Sequence, residues 1–371
     1  MYFRLIRLEQ AWNRLFIRML GRLMPAAPAE NPDWAVKPHR VLYLRHDKIG
    51  DMILSTSLIN AIAASHPTIT LDVLASPANA PVLLGNPSVS SVLIWDKAKP
   101  LNYTRLWREL HRARYDAVID CMILAPSTTT LLLMLASGAR HRIGVGGRIN
   151  DYALTVRVSP SATAVHHIEH SAVLATAFGV KLDAVDWRPE LSLTGAELEH
   201  GHQLWMTQDS ATQPGRARRL LVNVSAGRPA RRWPEERFVE LLEHVRATAP
   251  RLNILLICAP GDANRAMRIA QQAGVAHAPT SGLRDALALV ATADIVFTPD
   301  TSIGHAASAC AKPAVILFER DNDRLWGGYQ IGGRNVVSTD QTLATLPIEP
   351  VIEAIDELIN TDWESPGRKD D

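Results

Sequence analysis

Short apolar runs recur along this chain and alternate with stretches whose apolar residues return at helical spacing. Val41–Leu44, Thr70–Leu74, Ser91–Ile94 and Ala117–Ile119 read as strands. Between them Asp51–Ala64, carrying Ile53, Leu54, Leu58, Ile59 and Ile62, and the Leu-rich Ser127–Ala136 read as helices. Strand-like runs separated by helical ones predict a parallel, doubly wound sheet. After Trp187 the pattern weakens: Gly195–Thr207 still reads as a helix, and Gln208–Arg216 is polar with Pro214 and Gly215. The alternation then restarts. Leu220–Val224, Asn253–Ile257, Ile295–Phe297 and Val315–Phe318 read as strands. Pro234–Thr248, Ala263–Gln272, Leu283–Ala291, Gly304–Cys310 and Pro350–Ile359 read as helices. The fold class is α/β, and 371 residues exceed one ordinary core, so two domains are expected. Their predicted limits are 39–205 and 206–347, flanked by an N-terminal segment 1–38 and a C-terminal helix and tail 348–371.

The amino terminus follows another pattern. Residues 1–24 hold Arg4, Arg7, Arg14, Arg18 and Arg22 against one acid, Glu9. At about 100° per residue the arginines fall within roughly an 80° arc. Leu5, Leu8, Trp12, Leu15, Phe16, Met19, Leu20 and Leu23 cover much of the other side. The arginines interrupt the apolar core that a secretory signal needs. Such a helix suits an anionic inner leaflet, or packing on the body of the protein. The proline-rich stretch from Pro25 to Pro32 reads as a flexible tether.

Composition narrows the class of partner. A net charge of +1 gives no case for a nucleic-acid polymer. No apolar stretch reaches the ~20 residues of a membrane span. Cys121, Cys258 and Cys310 lie apart, each in or beside an apolar run, and no Cys/His cluster suggests a metal. A reducing cytosol fits. Neither half has GxGxxG after its first strand, and there is no Walker A sequence or nucleophile elbow.

The candidate chemistry lies at strand-to-helix junctions, where α/β sheets bind ligands. Arg45-His46-Asp47-Lys48-Ile49-Gly50-Asp51 follows the first strand. Asp51 at a first helical turn can simply favour the helix dipole, or can serve as a general base ionised at neutral pH. Asp300-Thr301-Ser302-Ile303-Gly304-His305 opens another helix, whose N–H groups suit a diphosphate or only an ordinary N-cap. Ser225-Ala226-Gly227-Arg228-Pro229-Ala230-Arg231-Arg232 combines small residues with three arginines that match phosphate oxygens, or forms a solvated basic loop. Glu319, Asp321 and Asp323, interleaved with Arg320 and Arg324, read as a loop at the cleft mouth or as a solvated charged turn. Two such junction sites, one per half, suggest domains facing each other across a cleft.

Together these segments resemble glycosyltransferase family 9, the heptosyltransferases of lipopolysaccharide core synthesis. The resemblance is carried by Arg45 with Ile49-Gly50-Asp51, Tyr115–Asp120, Arg142-Ile143-Gly144, Arg231-Arg232-Trp233-Pro234 with Phe238, Asp300-Thr301 with His305-Ala306-Ala307, Lys312-Pro313, and Gly327-Gly328-Tyr329. It spans about Arg40 to Ile359 and implies a GT-B fold, two Rossmann-like domains around a central cleft, with the last helix crossing back to the first domain. It implies an inverting, metal-independent transfer of heptose from ADP-heptose to a lipid A–Kdo or heptose acceptor, with no further cofactor. Asp51 then matches the proposed base, and Arg231 stands where the family usually has a lysine facing the donor diphosphate. Ser225, Ala226, Ser281, Asp300, Thr301, Ser302, Ile303 and His305 would line the donor, and Arg45, Lys48 and Arg142 the acceptor. Ser302 replaces a usual glycine. The partners implied are a nucleotide-sugar donor and a lipid-linked saccharide, at the cytoplasmic face of a Gram-negative inner membrane touched by residues 1–24. The same pattern also admits another nucleotide sugar of O-antigen or capsule assembly, or a non-catalytic sugar-nucleotide-binding protein.

Overall fold

A computed structural model of the chain describes residues 2–24, 26–30, 32–99, 101–206 and 218–361. The chain divides into two compact units, Met1–Trp187 and Arg188–Asp371. The polar stretch 208–216, Pro25 and the tail from 362 lie outside the described residues.

The first unit runs α1 (Tyr2–Leu23), β1 (His39–Arg45), α2 (Ile49–Ser65), β2 (Ile69–Ala75), β3 (Ser91–Ile94), α3 (Leu101–Ala113), β4 (Ala117–Asp120), α4 (Thr128–Ala136), β5 (His141–Val145), β6 (Val156–Val158) and α5 (His167–Ala172). Its six strands are parallel in the order β3-β2-β1-β4-β5-β6. The central strands β1 and β4 are almost wholly buried, which explains their apolar runs Val41–Leu44 and Ala117–Ile119. The order reverses between β1 and β4, so right-handed crossovers place α2 on one sheet face and α3 and α4 on the other. Accordingly α2 packs on α5, while α4 touches both α3 and α1.

Helix α1 docks on the body of this unit. The β5–β6 connection holds only a short 3₁₀ turn at Asp151–Ala153, which leaves room beside α4. Ile17 fills that room and joins the core of Leu131, Met134, Ala153 and Leu154. The Tyr152 hydroxyl donates to the Ile17 carbonyl at 2.9 Å. Gly21 lets the Tyr152 ring approach to where a Cβ would sit 2.7 Å from it. The segment after α1 is docked too, which corrects the expectation of a flexible tether. Ala27 N–H donates to the Tyr152 carbonyl and Glu30 N–H to that of Thr155. Trp34 stacks on Phe178 at 4.6 Å and donates to the Ala177 carbonyl.

The second unit runs α6 (Gly195–Met206), β7 (Arg219–Asn223), α7 (Glu235–Thr248), β8 (Asn253–Ile257), α8 (Ala263–Ala273), β9 (Ala276–His277), α9 (Leu283–Thr292), β10 (Ile295–Pro299), α10 (Ser302–Ala309), β11 (Ala314–Phe318), α11 (Asp323–Trp326), β12 (Gly333–Val337) and α12 (Glu349–Asn360). Its parallel order is β12-β11-β10-β7-β8-β9, with the reversal between β7 and β10. Trp233, Phe238 and Phe297 meet edge-to-face in its core.

The boundary between the units differs from expectation. The division falls after Trp187 rather than near 205, because α6 packs on α9 of the second unit. Trp205 Nε1 donates to Thr292 Oγ1 at 3.1 Å, and both Glu197 oxygens hold Arg284 at 2.6 Å. Helix α12 packs on β10, β11, β12 and α7 of its own unit. Its apolar stripe of Val351, Ala354, Ile355 and Leu358 belongs to that unit's core.

Candidate active site

In each unit the candidate chemistry sits where the strand order reverses, at the carboxyl ends of the two central strands. That is the position at which open α/β sheets bind ligands.

In the first unit, β1 ends at Arg45 and α2 begins at Ile49. Lys48 is the exposed N-cap residue and Asp51 lies in the first turn. Arg45 was expected to meet the acceptor, but its side chain is only 2% exposed. Its guanidinium donates to Ser55 Oγ at 3.0 Å, Asp47 Oδ2 at 3.2 Å and the Cys121 carbonyl at 3.3 Å. It also lies 3.9 Å from Asp51 Oδ1. Arg45 therefore orients the junction from beneath and leaves little surface for a ligand. Asn79 reinforces the turn by donating to the carbonyls of Arg45 and Lys48.

Asp51 keeps 13% of its side chain exposed. Burial pushes its carboxyl above the ordinary aspartate value, and Arg45 pulls it partly back. The result is a partly exposed carboxylate more basic than a free aspartate, as a general base requires. Beside it at the end of β4, Asp120 is buried, accepts from Met122 N–H and Asn150 Nδ2, and is also raised by burial.

Arg142 is not brought to this place. It pairs in register with Val118, near the amino end of β5, and its side chain donates to the carbonyls of Ala139 and Ala153. Two of its guanidinium donors thus go to backbone carbonyls around its own strand.

In the second unit the loops after β7, β10 and β11 converge. Asn223 donates to Thr298 Oγ1 at 2.9 Å and Thr301 Oγ1 at 3.1 Å, tying β7 to β10. Thr301 caps α10 by accepting from Ile303 N–H. Ser302 is partly exposed on the first turn, while Ile303 and His305 are buried, His305 with its ring 6.3 Å from that of Trp326. Ser225 Oγ accepts from Ala259 N–H at 2.7 Å, and Ala226 follows it, partly exposed. Ser281, after β9, donates both N–H and hydroxyl to Asp285 at 2.7 Å, so its hydroxyl is already engaged.

Arg231 is held by two buried acids. Its guanidinium meets Asp300 Oδ2 at 2.7 Å and Glu319 Oε2 at 3.1 Å, and also donates to the Asp300 carbonyl. Glu319 in turn pairs with Arg228. Glu319 is 2% exposed, so the segment after β11 does not begin as the solvated turn expected from its charges. A charged residue directly after the all-apolar run Ala314–Phe318 was the available sign. Asn223 and Glu319 are thus site residues that the sequence reading did not assign, and Arg228 joins Arg231 from the arginine-bearing loop already singled out there. Two guanidiniums and a capped helix N-terminus make a place for a diphosphate, in which the buried carboxylates fix the direction of the cations. Among the described residues no group of three or more His, Cys, Asp or Glu side chains could hold a metal ion.

The sequence model of glycosyltransferase family 9 (heptosyltransferase) matches residues 103–352. The chain belongs to this family and is a glycosyltransferase. It is 25% identical over 296 residues to lipopolysaccharide heptosyltransferase 2 of Salmonella typhimurium (strain LT2), covering 75% of this chain and 82% of that one. It is 26% identical over 338 residues to lipopolysaccharide heptosyltransferase 1 of Escherichia coli (strain K12), covering 86% and 100%. Among solved structures it resembles a family 9 glycosyl transferase from Veillonella parvula DSM 2008 with a TM-score of 0.75 and 17% identity, over 89% of this chain and 99% of that one. The E. coli ADP-heptose lps heptosyltransferase II matches with a TM-score of 0.66 and 21% identity, over 86% and 98%. These likenesses bear out the GT-B-type fold of two parallel α/β sheets.

Proposed function

We propose that this chain moves heptose from ADP-heptose to the growing core of a lipopolysaccharide, with inversion at the anomeric carbon. The observation that carries this reading is Asp51: a partly exposed carboxylate of raised basicity at the reversal point of the first sheet. The first unit serves the acceptor and the second the donor. Asp51 accepts the proton of an acceptor hydroxyl while that oxygen forms its bond to the anomeric carbon. The bond from that carbon to the diphosphate oxygen breaks, and ADP leaves with the electron pair. Arg228, Arg231 and the N-terminus of α10 take up the developing charge. Ser225, Ala226, Asp300, Thr301, Ser302, Ile303 and His305 line the donor, with Ser281 toward the adenosine. Lys48, exposed beside Asp51, meets the acceptor. No helix of the described residues is long and apolar enough to cross a membrane. The lipid acceptor and the arginines of residues 1–24 support a place at the inner face of the inner membrane.

The test is ADP release from ADP-heptose with a lipid A–Kdo acceptor. Replacing Asp51 with Asn lowers kcat by about 10²–10⁴-fold, the range of a lost general base, with ADP affinity unchanged. Near-normal turnover in that variant would remove Asp51 from the mechanism.

A further inference from the structure

Helix α1 has three faces rather than two. Ile17, Leu20, Gly21 and Met24 turn toward the body of the first unit. Arg14, Arg18 and Arg22 form an exposed ridge. Trp12, Leu15, Phe16, Met19 and Leu23 form a third face that is also exposed, Trp12 at 68% and Leu23 at 80%. At about 100° per residue each face spans roughly a quarter of the helix circumference, and the three do not overlap. Docking thus fixes the rotation of α1 and holds its second apolar stripe outward, beside the arginines. No acid occurs between residues 11 and 24.

The neighbours of α1 extend this surface. Right-handed crossovers put α3 and α4 on one sheet face, and α1 takes the next place over the helix-poor β5–β6 connection. The layer order on that face is therefore α3, α4, α1. Leu132 of α4 is exposed at 44%. On α3, Tyr103 and Trp107 are exposed at 51% and 54% along one flank, and Arg105, Arg108 and Arg112 are exposed on the helix's outer side. Arg105 also meets Glu109 at 2.8 Å, so the basic excess of α3 rests chiefly on Arg108 and Arg112. Apolar and aromatic flanks next to arginine ridges match the interface of an anionic bilayer, where aromatic rings sit at headgroup level.

We infer that α3, α4 and α1 form one composite docking face for an anionic phospholipid surface. The inference rests on the membrane reading of residues 1–24 and adds Tyr103, Trp107 and Leu132 as a second line of contact. Because α1 is already folded and docked, binding does not have to order it, and the bilayer meets a preformed plane.

Vesicle flotation of the full-length chain tests this, using phosphatidylcholine alone and phosphatidylcholine mixed with phosphatidylglycerol. The chain floats with the anionic vesicles and far less with the neutral ones. Trp12→Ser with Phe16→Ser lowers partitioning about tenfold, and Tyr103→Ser with Trp107→Ser does the same. Arg14→Gln with Arg18→Gln lowers it roughly fivefold per arginine. All six side chains are exposed, and unchanged thermal unfolding verifies that each variant is folded. Full binding by the α3 variant with lost binding by the α1 variant overturns the composite face and leaves the membrane role of residues 1–24 standing. No binding by the unaltered chain overturns both. A sedimentation shift from dimer to monomer in the serine variants, without vesicle binding, assigns the face to a second copy of the chain and likewise overturns it. Turnover on a soluble acceptor stays unchanged throughout, which separates these outcomes from the transferase reading.

Discussion

The two half-sites use buried charge differently, and Arg45 shows how. It lies beneath Asp51, joined to Asp47, Ser55 and the Cys121 carbonyl, and it lowers a carboxyl that burial raises. Replacing Arg45 with Met removes that opposing influence, so Asp51 holds its proton to higher pH. The acidic limb of kcat/KM then moves upward, and the chain loses about 3 kcal/mol of stability because buried acids lose their partner. A limb that stays in place while stability falls would restrict Arg45 to a structural role. In the second unit, Glu319→Gln leaves Arg228 and Arg231 less compensated. The ligand-free chain then melts lower, and ADP raises its Tm by more than it does in the unaltered chain, since the diphosphate supplies the missing negative charge. Equal ADP-induced shifts would contradict this account. Asp51, Asp300 and Arg231 were legible in the sequence because each sits in a junction motif. The roles of Arg45 and Glu319 were not, because their burial depends on residues far away in the chain. Glu319 meets Arg228 across 91 positions, and Arg45 meets the Cys121 carbonyl across 76.

At the scale of elements, the central strands were the clearest, since buried parallel strands are continuous apolar runs. The strands β5, β6, β9 and β12 were not foreseen. His141 and Arg142 break the apolar run of β5, Gly333 and Arg334 open β12, and β9 has only two residues. Helix α3 is not legible although Leu106 and Leu110 anchor it, because most of its other positions are polar or aromatic. Helix α6 is legible as a helix, but its packing on α9 is not, since its partners there lie some eighty or more residues on in the chain. Gly201 is where α6 meets α9 most closely: a Cβ there would lie 2.9 Å from the Ala288 carbonyl and 3.0 Å from Thr292 Oγ1. Alanine at this position gains about 1 kcal/mol of helix propensity. The enforced shift costs more, a net loss of about 1–3 kcal/mol. Urea unfolding of Gly201→Ala measures this, and a stabilised variant would show that α6 is less tightly seated than described.

On the scale of the whole molecule, two sheets of six parallel strands each carry their chemistry at the point where strand order reverses. The alternation of apolar runs and helical stretches predicted this doubled architecture, and the family match agrees with it. The N-terminal segment shows the limit of such reading. Its arginine arc was plain in the sequence, yet a helical wheel could not tell that Ile17 and Gly21 would bind Tyr152 while Trp12 and Leu23 stayed outside. The specific claim that rests on all of this is transfer from an ADP-linked sugar. Calorimetric titration of the full chain with ADP, UDP and GDP, without added metal, tests it most directly. The account predicts that ADP binds and that UDP and GDP bind at least about tenfold more weakly, a difference of about 1.4 kcal/mol. Equal or tighter binding of UDP or GDP would contradict an ADP-sugar donor, and no binding of any nucleotide would contradict the transferase reading itself.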